Sequence, residues 1–273
     1  MGIYKINIGG RVVVIVLVCK CKPWAVTFGE KVTPYRSDNG LSTMAPSALA
    51  VRRITVDVGR LMDLASSGLF WVQDESDVTH GWAVVCGIEG TPYHGGSFCF
   101  EVHFPDNYPF EPPKFAYLTN DGKTRFNPNL YKNGKVCLSL LNTWQGEPWS
   151  GVQILSSILQ SIQTAVLTEE PLRNEPAYSA MSVHADIIPY NRMIFQASLE
   201  TAILAQLASP PPYLVALYEP VKKKAVEARD ALVAKARALA AEWDGKTETN
   251  GFYQMGVKYH FADLADKLAS ALA

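Results

Sequence analysis

The residues best suited to chemistry lie in one short stretch, residues 125–141, which reads RFNPNLYKNGKVCLSLL. Cys137 supplies a thiol, and the side-chain amide of Asn129 stands eight residues before it. A thiolate is a strong nucleophile, and an amide is a polar group that can stabilise charge beside it. The arrangement is that of a nucleophile with a polar stabiliser. The alternative is a small buried cysteine in an ordinary loop, because free cysteines are commonly buried.

Two turns shape this stretch before the cysteine is reached. Pro128 fixes its own φ angle and pushes Asn127 towards an extended conformation. Asn133 and Gly134 form a dipeptide suited to backbone angles that most residues avoid. An apolar run begins around Cys137, so the thiol stands at the edge of a loop shaped by proline and glycine.

The elements ahead of this stretch predict an α+β domain. Apolar residues recur at three- and four-residue steps over 48–65, as one face of a helix requires, and Gly68 ends that helix. Aromatic and β-branched runs separated by Asp, Gly and Pro clusters then predict a four-stranded antiparallel meander, with strands at 70–73, 82–88, 97–104 and 114–118. A helix, a meander and further helices make an α+β plan.

The third predicted strand alternates between two faces of the sheet. One face takes Phe98, Phe100, Val102 and Phe104, and the other takes Cys99, Glu101 and His103. We interpret Cys99 and His103 as face residues and not as metal ligands, because the chain shows no second ligand pair with zinc spacing. A metal site is therefore not expected.

Two loops carry aromatic residues on either side of the central stretch. Three prolines stiffen residues 106–113, DNYPFEPP, around Phe110. A rigid loop that presents an aromatic ring can form a contact surface, and the alternative is a ring folded inward. The second loop, residues 142–151, contains Trp144 and Trp149.

Helical patterns dominate the rest of the chain. They predict helices over 152–166, 178–208, 215–243 and 261–272. The second of these is either one long helix or a pair of helices broken at Pro189, and the prolines at 210–212 form a linker. Between the first two lies an acidic segment punctuated by proline, TEEPLRNEP at 168–176.

Composition narrows the class of protein. Apolar residues make up 48% of the chain and the net charge is −1, so a sizeable core is expected and nucleic acid is disfavoured as the main partner. Five cysteines without paired spacing fit a reducing cytosolic or nuclear compartment better than a disulfide framework. The apolar run at 12–19 is too short to span a bilayer, so no membrane association is expected.

Several ordered strings resemble the ubiquitin-conjugating enzyme family. They are YPFEPPK at 108–114, NPN at 127–129, GKVCL at 134–138, the tryptophan loop after it and RNEPAY at 173–178. The resemblance covers roughly residues 45–208 and is strongest to the Z-like group and its large hybrid relatives. It implies a UBC-like core domain at 45–208, an N-terminal extension of uncertain role at 1–44 and a helical C-terminal extension at 209–273.

The resemblance implies a thioester chemistry. An activating enzyme, which uses ATP, would hand ubiquitin or a ubiquitin-like protein to Cys137, and a substrate lysine would then attack that thioester. Asn129 would donate to the oxyanion formed in this attack, or would simply tie the loop to itself. Glu170 matches best the acidic residue that assists the incoming lysine, with Glu169 and Glu175 as alternatives. No small-molecule cofactor is implied.

Partner contacts are carried over in the same way. Phe110 and Trp149 match the loop positions where the family docks ubiquitin ligases, and Arg52 and Arg53 match the helix face that engages the activating enzyme. The chain departs from the family where Asn127 replaces a histidine, and where TNDGKT is inserted at 119–124. The histidine's hydrogen bonds must therefore be replaced or absent.

Two competing functions are compatible with the same fold. An inactive member would bind ubiquitin or a partner without forming a thioester, and the presence of Cys137 argues against it. A cysteine hydrolase would need a histidine base, and the five histidines fall in none of the loops nearest Cys137. The sequence thus predicts a conjugating enzyme first.

Overall fold

The computed structural model describes residues 2–8, 11–18, 45–178, 185–251 and 253–273. Its strands are β1 (Gly2–Ile8), β2 (Arg11–Val18), β3 (Leu69–Asp74), β4 (His80–Cys86), β5 (Ser97–His103), β6 (Lys114–Tyr117), β7 (Thr247–Asn250) and β8 (Met255–Lys258). Its α-helices are α1 (Ala48–Leu61), α2 (Leu155–Ser161), α3 (Ile187–Ala197), α4 (Ala205–Ala208), α5 (Tyr218–Trp243) and α6 (Phe261–Ala271).

The predicted meander forms four of the six strands of the main sheet. Strands β3, β4, β5 and β6 pair in sequence order, each antiparallel to the next. The α+β prediction, with a helix before the sheet and helices after it, is confirmed. β1 and β2 form an antiparallel hairpin. This hairpin extends the sheet beyond β3, with which β2 pairs in parallel. Most of the predicted N-terminal extension, including 19–44, lies outside the described residues.

The two faces of the sheet are covered by different elements. Phe98, Phe100, Val102 and Phe104 join the main core with the helices, as the alternation predicts. Cys99 points to the opposite, outer face, in a smaller cluster with Leu214, Leu217 and Val221. These three residues belong to the turn of 3-10 helix Pro212–Leu217 and the start of α5, so the predicted linker leads straight onto the sheet.

The first helix begins at a side-chain cap and ends in a glycine. The hydroxyl of Ser47 accepts the N–H of Ala50 at 3.0 Å. The helix continues as 3-10 turns over Met62–Ser67, and Gly68 adopts φ +79°. An added Cβ there would lie 2.8 Å from the Cβ of Cys86, so glycine lets the chain turn tightly into β3.

The helix predicted over 178–208 is shorter, and its predicted break is wrong. Residues 179–184 lie outside the described part, and α3 begins at Ile187. Pro189 is therefore the third residue of α3, inside the first turn, where its missing N–H removes no helical hydrogen bond. The helix then widens into π-helical turns over Ser198–Leu204 before α4.

The C-terminal segment packs into the same core as the sheet. Ala225, Ala228 and Leu232 of α5 are buried in the main cluster, and Gly95 at φ +72° gives them room. A Cβ on Gly95 would lie 2.8 Å from the Cβ of Ala228. The β7–β8 hairpin was not predicted, although Asn250-Gly251 is a hairpin signal. Removing residues 209–273 would expose a large apolar surface.

No helix within the described residues has both the length and the apolar character needed to cross a membrane.

The docking of α5 gives a stability prediction. Leu232 is 1% exposed, so Leu232→Ala should lower the free energy of unfolding by about 2–5 kcal/mol, measured by chemical denaturation. Val226→Ala on the same helix is the control, because Val226 is 40% exposed and should lose well under half as much. Equal losses in the two variants would show that α5 does not bury Leu232 as described.

Candidate active site

The Asn-Pro-Asn segment forms a tight turn. The N–H of Leu130 donates to the carbonyl of Asn127 at 2.9 Å, and the N–H of Asn129 donates to the side-chain Oδ1 of Asn127 at 2.7 Å. The Arg125 guanidinium donates to the carbonyls of Asn127 and Pro128 at 3.1 and 2.7 Å. The turn is thus stabilised by the side-chain amide of Asn127, which belongs to it, and by the guanidinium of Arg125, which precedes it.

Asn127 takes over the hydrogen bonding expected at the family's histidine position. Its side chain is fully buried, and its Nδ2 donates to the carbonyl of Val166 at 2.7 Å. Its Oδ1 accepts the N–H of Asn129, and the Asn174 amide lies 3.4 Å from the same oxygen. An amide offers a donor and an acceptor, as a neutral imidazole does. The substitution therefore preserves a donor and an acceptor at this position.

Asn129 and Cys137 are joined by two reciprocal hydrogen bonds. The N–H of Cys137 donates to the carbonyl of Asn129 at 2.9 Å, and the Nδ2 of Asn129 donates to the carbonyl of Cys137 at 2.7 Å. The loop-tying arrangement considered from the sequence is therefore present. A side-chain amide carries two N–H donors, and this bond uses one of them.

Thr143 braces the backbone on both sides of Cys137. Its Oγ1 accepts the N–H of Leu138 at 2.9 Å and donates to the carbonyl of Val136 at 2.8 Å. The sequence analysis did not identify Thr143 as a site residue. The signal that could have identified it is its position in the NTW string of the tryptophan loop. Cys137 itself is 1% exposed in this conformation, so the buried cysteine considered from the sequence describes its resting state.

The other described cysteines differ from Cys137 in their surroundings. Cys86 and Cys99 lie in strands, on the apolar outer face of the sheet. Burial raises the pKa of both thiols to about 12, so both stay protonated at neutral pH. Neither is suited to act as a thiolate nucleophile.

The acidic candidates stand on a turn of 3-10 helix, Pro171–Asn174, and beside it. Glu170 forms an ion pair with Arg173, and Glu175 accepts the hydroxyl of Tyr253 at 2.8 Å. Glu169 is exposed, and its carbonyl accepts the Asn191 amide at 2.8 Å. The described contact from this segment to the Asn-Pro-Asn turn comes from the amide of Asn174, not from a carboxylate.

The two aromatic loop residues have different environments. Phe110 is 73% exposed, so its ring does not fold inward. Trp149 is buried, and its Nε1–H donates to the carbonyl of Pro109 at 2.8 Å. Trp149 therefore joins the two loops from below. The pattern over 152–166 predicts Val152 on the core face of a helix, but Val152 is 87% exposed and α2 begins only at Leu155.

The two arginines of α1 also differ in their environments. Arg52 is exposed. Arg53 binds the buried carboxylate of Asp57 at 3.0 Å and donates to the carbonyls of Gly151 and Gln153 at 2.9 and 2.5 Å. The Arg53 guanidinium thus fixes the second loop against α1, and Arg52 is the more accessible of the pair.

The C-terminal hairpin reaches the segment that enters the site. The N–H of Arg125 donates to the Sδ of Met255 at 3.1 Å. The Arg125 guanidinium lies 3.3 Å from the ring centroid of Tyr131 and 5.3 Å from that of Tyr253. The turn before Cys137 is therefore packed against residues more than a hundred positions away in the chain.

The brace formed by Thr143 gives a prediction. Thr143→Val keeps the shape of the side chain but removes the hydroxyl, so the N–H of buried Leu138 loses its acceptor. We expect a loss of about 1–3 kcal/mol in the free energy of unfolding and faster hydrogen exchange of the Leu138 amide. Thr143→Ser keeps the hydroxyl and is the control. Wild-type exchange in the valine variant would contradict the brace.

Comparisons with known proteins identify the family. A family model described as "Ubiquitin-conjugating enzyme" matches residues 53–200, more than half of the chain. Ubiquitin-conjugating enzyme E2 Z of Xenopus tropicalis is 41% identical over 158 residues, covering 58% of this chain and 50% of that protein. The Homo sapiens protein of the same name is 41% identical over 160 residues, covering 58% of this chain and 44% of its own length.

A plant protein and a solved structure are also among the matches. Probable ubiquitin-conjugating enzyme E2 25 of Arabidopsis thaliana is 44% identical over 139 residues, covering 48% of this chain and 22% of that protein. A solved Toxoplasma gondii ubiquitin conjugating enzyme E2 domain is 22% identical with a TM-score of 0.44, covering 55% of this chain and 97% of that one. The chain spans about half the length of the E2 Z proteins it matches. Because the family model covers more than half of the residues, this chain belongs to the ubiquitin-conjugating enzyme family.

Proposed function

We propose that this chain accepts ubiquitin or a ubiquitin-like protein as a thioester on Cys137 and transfers it to a lysine of a protein substrate. The observation that carries the proposal is the reciprocal pair of hydrogen bonds between Asn129 and Cys137, in a chain that belongs to this family. Such bonds hold the nucleophile's backbone and a donor amide in fixed relation, which is what a two-step transfer requires.

The chemistry proceeds in two balanced steps. First, the Cys137 thiolate attacks the thioester carbonyl carbon of the modifier on its activating enzyme, a new C–S bond forms, and the activating enzyme's thiolate leaves. Second, a neutral lysine amine attacks the new thioester, the C–N bond forms, and the Cys137 thiolate leaves. The amine loses its proton to a base or to water. ATP is consumed by the activating enzyme.

Asn129 and Glu170 have separate roles in the second step. The second N–H of the Asn129 amide would donate to the oxyanion of the tetrahedral intermediate. A lysine with a pKa near 10.4 is charged at neutral pH, so a nearby carboxylate assists by orienting or deprotonating it. Glu170 is proposed for this because its segment contacts the turn through Asn174, with Glu169 and Glu175 as the neighbouring alternatives.

Loading requires the Sγ of Cys137 to become accessible. Residues 144–148, which follow the brace at Thr143, are exposed, and the backbone of Gly146 folds back onto Ser139, where an added Cβ would lie 3.0 Å from the Cβ of Ser139. A short exposed segment can move without breaking the hydrogen bonds of Thr143. We propose that this segment swings away from Cys137 when the activating enzyme docks.

Partner docking is proposed for two surfaces. Phe110 and Val152 present apolar side chains to a ubiquitin ligase, while buried Trp149 holds their loops together. Arg52 faces the activating enzyme from α1, and Arg53 supports that surface from within. The proposed compartment is cytosolic or nuclear, where free thiols persist.

A catalytically inactive binding module of the same fold is the second candidate. It would use the same surfaces to hold ubiquitin or a ligase without forming a thioester. The loading experiment below distinguishes it from the enzyme.

Loading tests the nucleophile. When the protein is incubated with an activating enzyme, ATP and ubiquitin or a ubiquitin-like modifier, a non-reducing gel should show an adduct that reductant removes. Cys137→Ala should abolish it, because the thiolate is the acceptor. Cys86→Ala, which removes a thiol outside the site, should leave it in place. The absence of an adduct with every activating enzyme and modifier would overturn the proposal and favour the binding module.

Discharge tests the role of Asn129. Asn129→Ala should load normally but transfer to free lysine about 10²–10³-fold more slowly, because the oxyanion loses a donor. The rate is measured by single-turnover discharge of the purified thioester. Asn133→Ala, an exposed asparagine of the next turn, is the control. If Asn129→Ala fails to load and the Cys137 amide loses its exchange protection, Asn129 serves only to tie the loop.

A further inference from the structure

Three potential metal ligands meet on the outer face of the sheet, away from Cys137. His80 of β4 and His103 of β5 are cross-strand partners, and Glu101 lies two residues before His103. The Glu101 Oε1 lies 2.9 Å from the Nε2 of His80 and 3.6 Å from the Nε2 of His103. One ligand atom from each of the three lies within 4.8 Å of the others.

A fourth residue orients the more buried histidine. The Nδ1 of His80 lies 2.8 Å from the Oδ2 of Asp74, and Asp74 accepts the N–H and the hydroxyl of Ser76 at 2.8 and 2.7 Å. A carboxylate on Nδ1 leaves the Nε2 lone pair free for a ligand and fixes the ring's orientation, as it does for most histidines that bind metals. Trp82 packs edge-on against the His80 ring at 4.5 Å.

We propose that His80, Glu101 and His103 form a zinc site, with Asp74 as the outer carboxylate. Two imidazole nitrogens and one carboxylate oxygen are a donor set that suits Zn²⁺. With bonds of about 2.0–2.2 Å, tetrahedral ligand atoms stand roughly 3.3–3.6 Å apart. The 2.9 and 3.6 Å separations at Glu101 are already close to this value.

Small side-chain movements complete the site. The rings of His80 and His103 stack at 4.2 Å and 8°, so one ring must tilt for both nitrogens to face one ion. The His103 side chain is 43% exposed and its χ2 torsion is soft, whereas the His80 side chain is 13% exposed. His103 therefore moves, and the solvent side of the cluster supplies a water as the fourth ligand.

The sequence pattern concealed this cluster. The sequence suggests Cys99 and His103, which lie on the same face of one strand, as a possible ligand pair. Cys99 is fully buried in the apolar cluster, so it is not a ligand. The partner of His103 comes from the neighbouring strand and is visible only once the register is known. A zinc site here would replace the sequence-based expectation that the chain has no metal site. The site lies apart from Cys137 and does not depend on the transfer chemistry.

Zinc binding tests the proposal directly. The full chain carrying Cys19→Ser and Cys21→Ser, which removes the closely spaced thiols at its start, is titrated with zinc chloride at pH 7.5 by calorimetry. One zinc per chain is expected. His103→Ala removes a ligand and should weaken binding more than about 10-fold, and Asp74→Asn should weaken it about 10–100-fold. His260→Ala is the control, because His260 lies outside this cluster, pairs with Glu200 at 3.0 Å and is 45% exposed.

A second measurement does not depend on the folding of any variant. Histidine side-chain ¹⁵N–¹H spectra of the wild-type imidazoles should show zinc-induced shifts at the Nε2 of His80 and His103 and no comparable shift at His94 or His260. The proposal is overturned if no saturable binding occurs, if His103→Ala binds as tightly as the parent, or if the shifts fall on other histidines. In any of these cases the cluster is an ion-paired network without a metal.

Discussion

The buried amide of Asn127 is the interaction on which the rest of the site depends. Its nitrogen bonds the carbonyl of Val166 and its oxygen accepts the N–H of Asn129, so one side chain joins the loop to the helical layer behind it. Buried polar groups are stable only when they are hydrogen-bonded, so these partners have to be placed together. Fixing the backbone of Asn129 in turn fixes the carbonyl that receives the N–H of Cys137.

Local patterns were enough to predict the first helix, the four-stranded meander and the order of the chemistry-bearing residues. Strand alternation placed Phe98 and Phe100 in the core, and Pro128 and Gly134 marked the turns of the loop. These features depend on neighbours in sequence, for which propensity and periodicity carry the information. The position of Cys137 eight residues after Asn129 is a local feature of this kind.

Tertiary contacts could not be predicted in this way. Trp149 and Phe110 are both aromatic residues in loops, and the sequence does not distinguish them. In the structure Trp149 is buried and hydrogen-bonded to the carbonyl of Pro109, whereas Phe110 is exposed. Arg52 and Arg53 are adjacent in sequence. Asp57, four residues after Arg53, is a local signal that distinguishes them, but the loop carbonyls that also bind Arg53 lie about a hundred positions away in the chain. Composition and spacing hold no information about partners at such distances.

The contact between Met255 and Arg125 can form only after the ribosome has synthesised the C-terminal hairpin. Arg125 lies 130 positions before the sulfur that accepts its N–H. A ribosome adding roughly 5–20 residues per second needs about 6–24 s to travel from the cysteine of the loop to that methionine. During this interval the nascent chain carries its thiol on a loop that has no brace from the C-terminal hairpin. The loop that contains Cys137 is thus completed only after the C-terminal hairpin has been synthesised.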